Sequence, residues 1–167
     1  MTVAFFLNLC YHGDRTIPPM DGERRKDMTA EELWRTAGLA GSYESWSFGG
    51  DPDGLAELVL QGKKRATCSA ALFYTLENEP LPQEGAYSVI LDGQDRAVCI
   101  IRTTRVWRCR FCDVPVGHAW LEGEGDRSLA YWRQVHRDFF TGELAEVGLT
   151  FSEDLELICE EFERIWP

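Results

Sequence analysis

Positive charge is scarce in this chain. Lys and Arg number 17 against 28 Asp and Glu, a formal net charge of −11. Such a surface repels the phosphate backbone that gives nucleic-acid binders most of their affinity, so any RNA contact is expected from a local cation cluster. Long apolar runs are missing as well, and no stretch reaches the roughly 18 residues a membrane helix needs. The short apolar run from Val3 to Cys10 has no basic residues before it and no small-residue cleavage site, which argues against a secretion signal. Six cysteines spread through apolar stretches lack the density of a disulfide scaffold and read as buried, reduced thiols. With no Walker loop, GxGxxG or GxSxG motif, nucleoside-triphosphate, dinucleotide and α/β-hydrolase chemistries lose their usual support. These absences predict a cytoplasmic protein with no membrane partner, metal or cofactor.

What the chain has is enough for one core and too little for two: 167 residues, 44% apolar and 12% aromatic. Residues from His12 to Lys26 mix Gly, Pro, Asp and Arg without periodicity, so 1–28 reads as an arm or extension and 29–167 as a single domain. Thr29 with Glu32 forms a capping-box pattern ahead of Leu33, Trp34, Ala37 and the stop at Gly38. A second helix is punctuated by Asp51, Pro52 and Gly62 around Leu55, Leu58 and Val59. Beyond Ala66 the chain reads as strand through Phe73 and Tyr74. Leu81–Gly85 reads as a turn, and Ala86–Leu91 and Ala97–Trp107 as a hairpin about Asp92-Gly93. Helical spacing resumes at Pro115, and Ser128–Phe140 places Leu129, Trp132, Val135, His136 and Phe139 on one side. Leu155–Trp166 reads as a closing strand, with a helix as the alternative. Strands interrupted by helices in this uneven order predict an α+β fold, a mixed sheet curled into a small barrel.

The densest chemistry lies in Gly62-Lys63-Lys64-Arg65-Ala66-Thr67, a helix stop followed by three cations and a hydroxyl at the mouth of a strand. A lysine in a partly dry cleft beside other cations loses proton affinity and becomes a candidate base, with Thr67 its candidate nucleophile. The competing reading is solvated cations at the negative end of a helix dipole. The run Glu122-Gly123-Glu124-Gly125-Asp126 sets three carboxylates at alternate positions. They serve to orient a lysine or substrate amine, as a hard-metal loop, or as a solvated turn in which Asp126 and Ser128 cap the next helix. It lacks the length of a calcium loop. Cys109-Arg110-Phe111-Cys112 has CxxC spacing with only His118 near, too little for a metal set. Tyr74, Trp120 and Trp132 are either base-stacking surfaces or core.

Taken in order, Glu57-Leu58-Val59-Leu60, Gly62 to Thr67, Leu81-Pro82-Gln83-Glu84-Gly85, and Ala119-Trp120-Leu121 through Asp126 with Ser128-Leu129, Trp132 and His136 resemble the ASCH domain family. The likeness runs from about Tyr43 to Trp166 and is nearest to a larger bacterial subgroup with the EGEGD run. It implies a PUA-like mixed β-barrel with flanking helices and a cleft tied to RNA-related roles. The family's GxKxxT signature falls on Gly62, Lys64 and Thr67. By resemblance to members that hydrolyse N4-acetylcytidine, Lys64, Thr67 and Glu124 are the implied catalytic set, with Glu122 the rival carboxylate. Gly62, Lys63, Arg65, Glu122, Asp126 and Trp132 are the implied ligand-binding residues. The expected partner is a small nucleoside-like ligand or a short RNA, and the alternatives to an amidohydrolase are a non-catalytic RNA-binding module and a ribonuclease.

Overall fold

A computed structural model describes residues 27–167. The expectations for Val3–Cys10 and His12–Lys26 lie outside that range. Local signals set most helix ends. Helix α1 (Ala30–Ala37) carries the Thr29/Glu32 capping box in full and stops at Gly38 in the left-handed region. Helix α2 (Pro52–Leu60) is capped by Asp51, whose side chain accepts from the Gly54 N–H, and Gly62 follows at φ 69°. Helix α3 (Ala71–Leu76) replaces the second half of the strand expected beyond Ala66. Helices α4 (Val116–Glu122) and α5 (Leu129–Glu146) start after Pro115 and Ser128, as their spacing indicated.

Five strands, β1 (Glu44–Ser47), β2 (Ala66–Ala70), β3 (Tyr87–Leu91), β4 (Ala97–Arg110) and β5 (Glu156–Trp166), form one sheet in the order β1-β3-β4-β5-β2. Only the β1–β3 pairing is parallel; the others are antiparallel, so β3–β4 is the expected hairpin and β5 the expected closing strand. The sheet curls into a half-barrel with the helices around it. The barrel expected from the strand order is therefore open between β1 and β2, the two edge strands.

Strand pairing assigns side chains to faces, because directly opposed residues point the same way and the period along each strand is two. One face packs under α2: Phe48, Ala56, Val59, Ile90, Cys99, Ile101 and Phe162 form its apolar cluster. The opposite face holds two clusters. One lies around Phe111, Trp132, Phe140 and Leu157, the other around Leu33, Trp34, Val89 and Ile100. No helix among the described residues is long and apolar enough to cross a membrane.

Candidate functional site

The candidate side chains Lys64, Glu122 and Glu124 gather where the edge of β2 meets α4. The Arg65 N–H donates to the Leu121 carbonyl at 2.8 Å, tying the approach to β2 onto the end of α4. Gly123 then turns the chain at φ 77°, and a Cβ there would stand 2.4 Å from the Lys63 carbonyl oxygen. Only glycine fits that approach. The turn carries Glu122 and Glu124 directly against Lys64.

Lys64 is 2% exposed and Glu122 1% exposed. The Lys64 ammonium donates to Glu122 Oε2 at 2.8 Å and to Glu124 Oε1 at 2.9 Å, and it lies 5.1 Å from the centre of the Phe48 ring. The other oxygen of Glu122 accepts from the Trp132 indole N–H at 2.9 Å, with His136 Nε2 at 3.5 Å. His118 Nε2 is 3.1 Å from the same oxygen but off the line of a hydrogen bond, so both nitrogens of its ring are buried without a hydrogen-bond partner. His136 stacks on Trp132 at 4.2 Å and 17°.

These contacts fix the charge states. Burial pulls the proton affinity of Lys64 down, but the charges of Glu122 and then Glu124 outweigh it and hold the ammonium above its ordinary value. Burial likewise pushes Glu122 up, but the Lys64 charge, with His136 adding to it, holds its carboxyl well below the usual range. The expectation that neighbouring cations depress Lys64 is overturned. Lys63 is exposed, the Arg65 guanidinium lies over Trp120 at 5.5 Å, and the groups against the Lys64 nitrogen are carboxylates. Lys64 is therefore a held cation rather than a poised base.

The remaining sequence-level candidates divide. Thr67 sits opposite Glu160 in the β2–β5 register and so faces the α2 side, with Phe162 two residues further along β5. Glu124 keeps its side chain 19% exposed and is the carboxylate of the pair with a path to solvent. Trp132 is buried and acts on Glu122, so it offers no open ring to a ligand. Asp126 is exposed and accepts from the Ser128 N–H at the start of α5, the capping alternative. Gly62 is exposed and ends α2. Trp120, 48% exposed, lies between the guanidinium groups of Arg65 and Arg127. Reading the sequence did not give His118, His136 or Phe48 a part in this cluster. The His118-to-Glu122 and Trp132-to-His136 spacings of four residues are the signal that was available.

Two sets, Cys68/His118/Glu122 and Glu122/Glu124/His136, bring metal-ligating atoms within 4.8 Å of one another. Both rely on Glu122, which already faces the Lys64 ammonium at 2.8 Å. A divalent ion in either set would meet that charge at short range, and burial followed by the Glu122 charge pushes the Cys68 thiol up, away from the thiolate a metal needs. The lysine supplies the positive charge of this site. A groove of about 430 Å³ flanks α3, lined by Tyr74, Glu79, Leu81, Arg108 and Glu156 among others, and contains none of Lys64, Glu122 or Glu124. Among the described residues, no buried ion cluster converges there.

A family model described as "ASCH domain" matches residues 44–166. The crystal structure of an ASCH domain from Lactobacillus crispatus JV V101 is 37% identical, with a TM-score of 0.71 over 74% of this chain and 79% of that one. Protein EF3133 from Enterococcus faecalis V583 is 40% identical, with a TM-score of 0.68 over 73% of this chain and 76% of that one. No curated protein matches the chain. The GxKxxT residues, the buried Lys64 ion cluster and these likenesses together place one statement beyond resemblance: the chain belongs to the ASCH domain family.

Proposed function

We propose that the Lys64 cleft hydrolyses a small N-acylated, nucleoside-like amide such as N4-acetylcytidine. One observation carries the reading: an ammonium out of water, shared by a fully buried carboxylate and a partly exposed one. Packing alone gives little reason for such a trio, since apolar side chains of similar volume are often at least as stabilising. Strongly perturbed ionisable groups brought together cluster at functional sites.

The charge states suggest the division of labour. Glu124, the carboxylate nearer solvent, takes the proton of the Thr67 hydroxyl as the Thr67 oxygen adds to the amide carbonyl. The Lys64 ammonium compensates the negative oxygen that forms. The carbon–nitrogen bond then breaks, the amine leaves with the proton from Glu124, and an acyl ester remains on Thr67. Water, deprotonated by Glu124, cleaves the ester and restores the hydroxyl. Glu122, locked by Lys64 and Trp132, positions the ammonium and exchanges no proton.

The test is release of cytidine from N4-acetylcytidine by the purified chain, beside Thr67→Ala and Lys64→Ala. Turnover should fall on the order of 100-fold or more in each variant. Thr67→Ala, at a partly open position, should melt as wild type does. Full activity in Thr67→Ala, or no turnover on any of a panel of acylated nucleosides, overturns the reading.

A second reading, RNA binding without chemistry, is favoured by one feature. Among the described residues, Lys63, Arg65 and Arg127 are cations outside the ion pairs that hold most of the others, and Arg65 and Arg127 flank an exposed tryptophan.

A further inference from the structure

The face of the sheet under α2 is not apolar throughout. Beyond the Phe48–Phe162 cluster it carries a polar patch that the Lys64 chemistry leaves unused. Glu160 on β5 stands directly opposite Thr67 on β2. Its Oε2 accepts from the Thr103 hydroxyl of β4 at 3.2 Å, and no cation approaches it among the described residues. Ser69, two residues from Thr67 on the same face, is hydrogen-bonded to the Tyr74 hydroxyl of α3 at 2.8 Å. Glu44 reaches the patch from β1, where it is in register with Ser88 of β3. A partly buried carboxyl without a cation beside it is costly to keep for packing, and an apolar side chain would serve this face better. This one leans to Thr103 and shares its sheet face with the hydroxyl proposed to react, on the neighbouring strand.

We propose that Glu160, with Thr67 and Thr103 beside it, reads a ligand edge that presents a hydrogen-bond acceptor and an N–H side by side, as the pairing edge of cytosine does. The assignment rests on the nucleoside-like reading above and specifies which part of the ligand is recognised. A neutral carboxyl donates its O–H to the ring nitrogen and accepts the exocyclic N–H on its other oxygen, a two-point match that a carboxylate cannot make. Burial, with the Glu44 charge adding to it and the Thr103 hydroxyl opposing, pushes Glu160 up to about 7. The proton needed for that match is thus available in neutral solution. Among the described residues, Tyr74 also faces Glu160, itself pushed up to about 12 and so neutral there.

Calorimetric titration with cytidine and with the pyrimidin-2-one ribonucleoside, which keeps the ring nitrogen and lacks the exocyclic amine, tests this. Wild type should bind cytidine about tenfold more tightly, the value of one good two-point contact. The neutral form of Glu160 is lost as pH rises through about 7, so cytidine affinity should fall about tenfold between pH 6 and pH 9. Glu160→Gln keeps a donor and an acceptor and cannot titrate. It should retain the preference and lose the pH dependence, which separates Glu160 from Glu44 and every other titrating group in the cleft. Glu160→Ala should lose both. Cytidine binding that Glu160→Ala leaves unchanged overturns the subsite and spares the nucleoside reading. Binding of neither nucleoside by wild type overturns the nucleoside reading and this assignment together.

Discussion

Glu122 and Lys64 are worth little apart, since either alone is a charge in a dry place. Lys64→Met removes the cation and leaves Glu122 with only the Trp132 N–H and two histidine rings around it. Breaking a buried pair from one side costs about 3–5 kcal/mol. Adding Glu122→Gln to Lys64→Met should return part of that loss, and urea melts of the two single variants and the double variant measure the coupling directly. Strictly additive costs would mean that the pair does not act as a unit. The pH dependence has a definite sign. Glu122 is held below its ordinary value of 4.5, so its contribution is present above 4.5 and lost as pH falls through the lower folded value. Lys64 is held above its ordinary 10.5, so its share is present below 10.5 and lost as pH rises through the higher folded value. Wild type should therefore lose more stability in acid than the double variant does. At this scale the sequence was legible for Lys64, whose place after a helix stop is a local matter. The choice between Glu122 and Glu124 was not legible, because a glycine-separated run has no phase. The structure gives both to Lys64 and buries only the first.

Elements follow their punctuation where the signal is local and lose it where burial decides. The caps of α1, α2 and α5 were readable from Thr29, Asp51 and Ser128, since each acts within three residues of itself. Helix α3 was not readable: the Cys68–Phe73 run is apolar without a period, and the chain turns back so that Tyr74 reaches Ser69. The α4–α5 turn offers the sharpest test at this scale. Its glycines Gly123 and Gly125, and Gly62 at the end of α2, all sit at positive φ but differ in what surrounds them. A Cβ at Gly62 meets nothing within 4 Å, one at Gly125 meets the ring of Tyr131 at 2.4 Å, and one at Gly123 meets backbone at Lys63. Gly62→Ala should cost about 1 kcal/mol, the strain of the left-handed region alone. In Gly125→Ala the exposed Tyr131 side chain can swing aside. Gly123→Ala has no such relief, because backbone must move, and the Arg65–Leu121 hydrogen bond goes with it. The expected order of melting temperatures is Gly62→Ala above Gly125→Ala above Gly123→Ala. A Gly123→Ala protein as stable as Gly62→Ala would show that the turn does not hold the site.

For the whole molecule, composition and strand order were enough to indicate one α+β core. That the barrel stays open was not legible, because edge pairing depends on where β1 and β2 end up and not on what either contains. Charge distribution at this scale also supplies a test that separates the two functional readings. The chain is acidic overall, and Arg35, Arg96, Arg102, Arg105, Arg108, Arg110 and Arg137 each pair with an acidic side chain. Of the other arginines among the described residues, Arg133 and Arg164 donate to the Cys112 and Leu60 carbonyls, which leaves Lys63, Arg65 and Arg127 to meet a phosphate, with Arg65 and Arg127 over Trp120. Three phosphate contacts on a single strand give a slope of log K against log salt of about −2. If RNA is the ligand, a short single-stranded oligonucleotide should bind with that slope. Replacing the three cations by alanine should abolish binding while N4-acetylcytidine turnover, which depends on Lys64 and Thr67, persists. Binding that is insensitive to salt, or that survives the triple replacement, removes these cations as an RNA surface. A molecule this acidic has no other uncommitted cation cluster among its described residues with which to hold RNA.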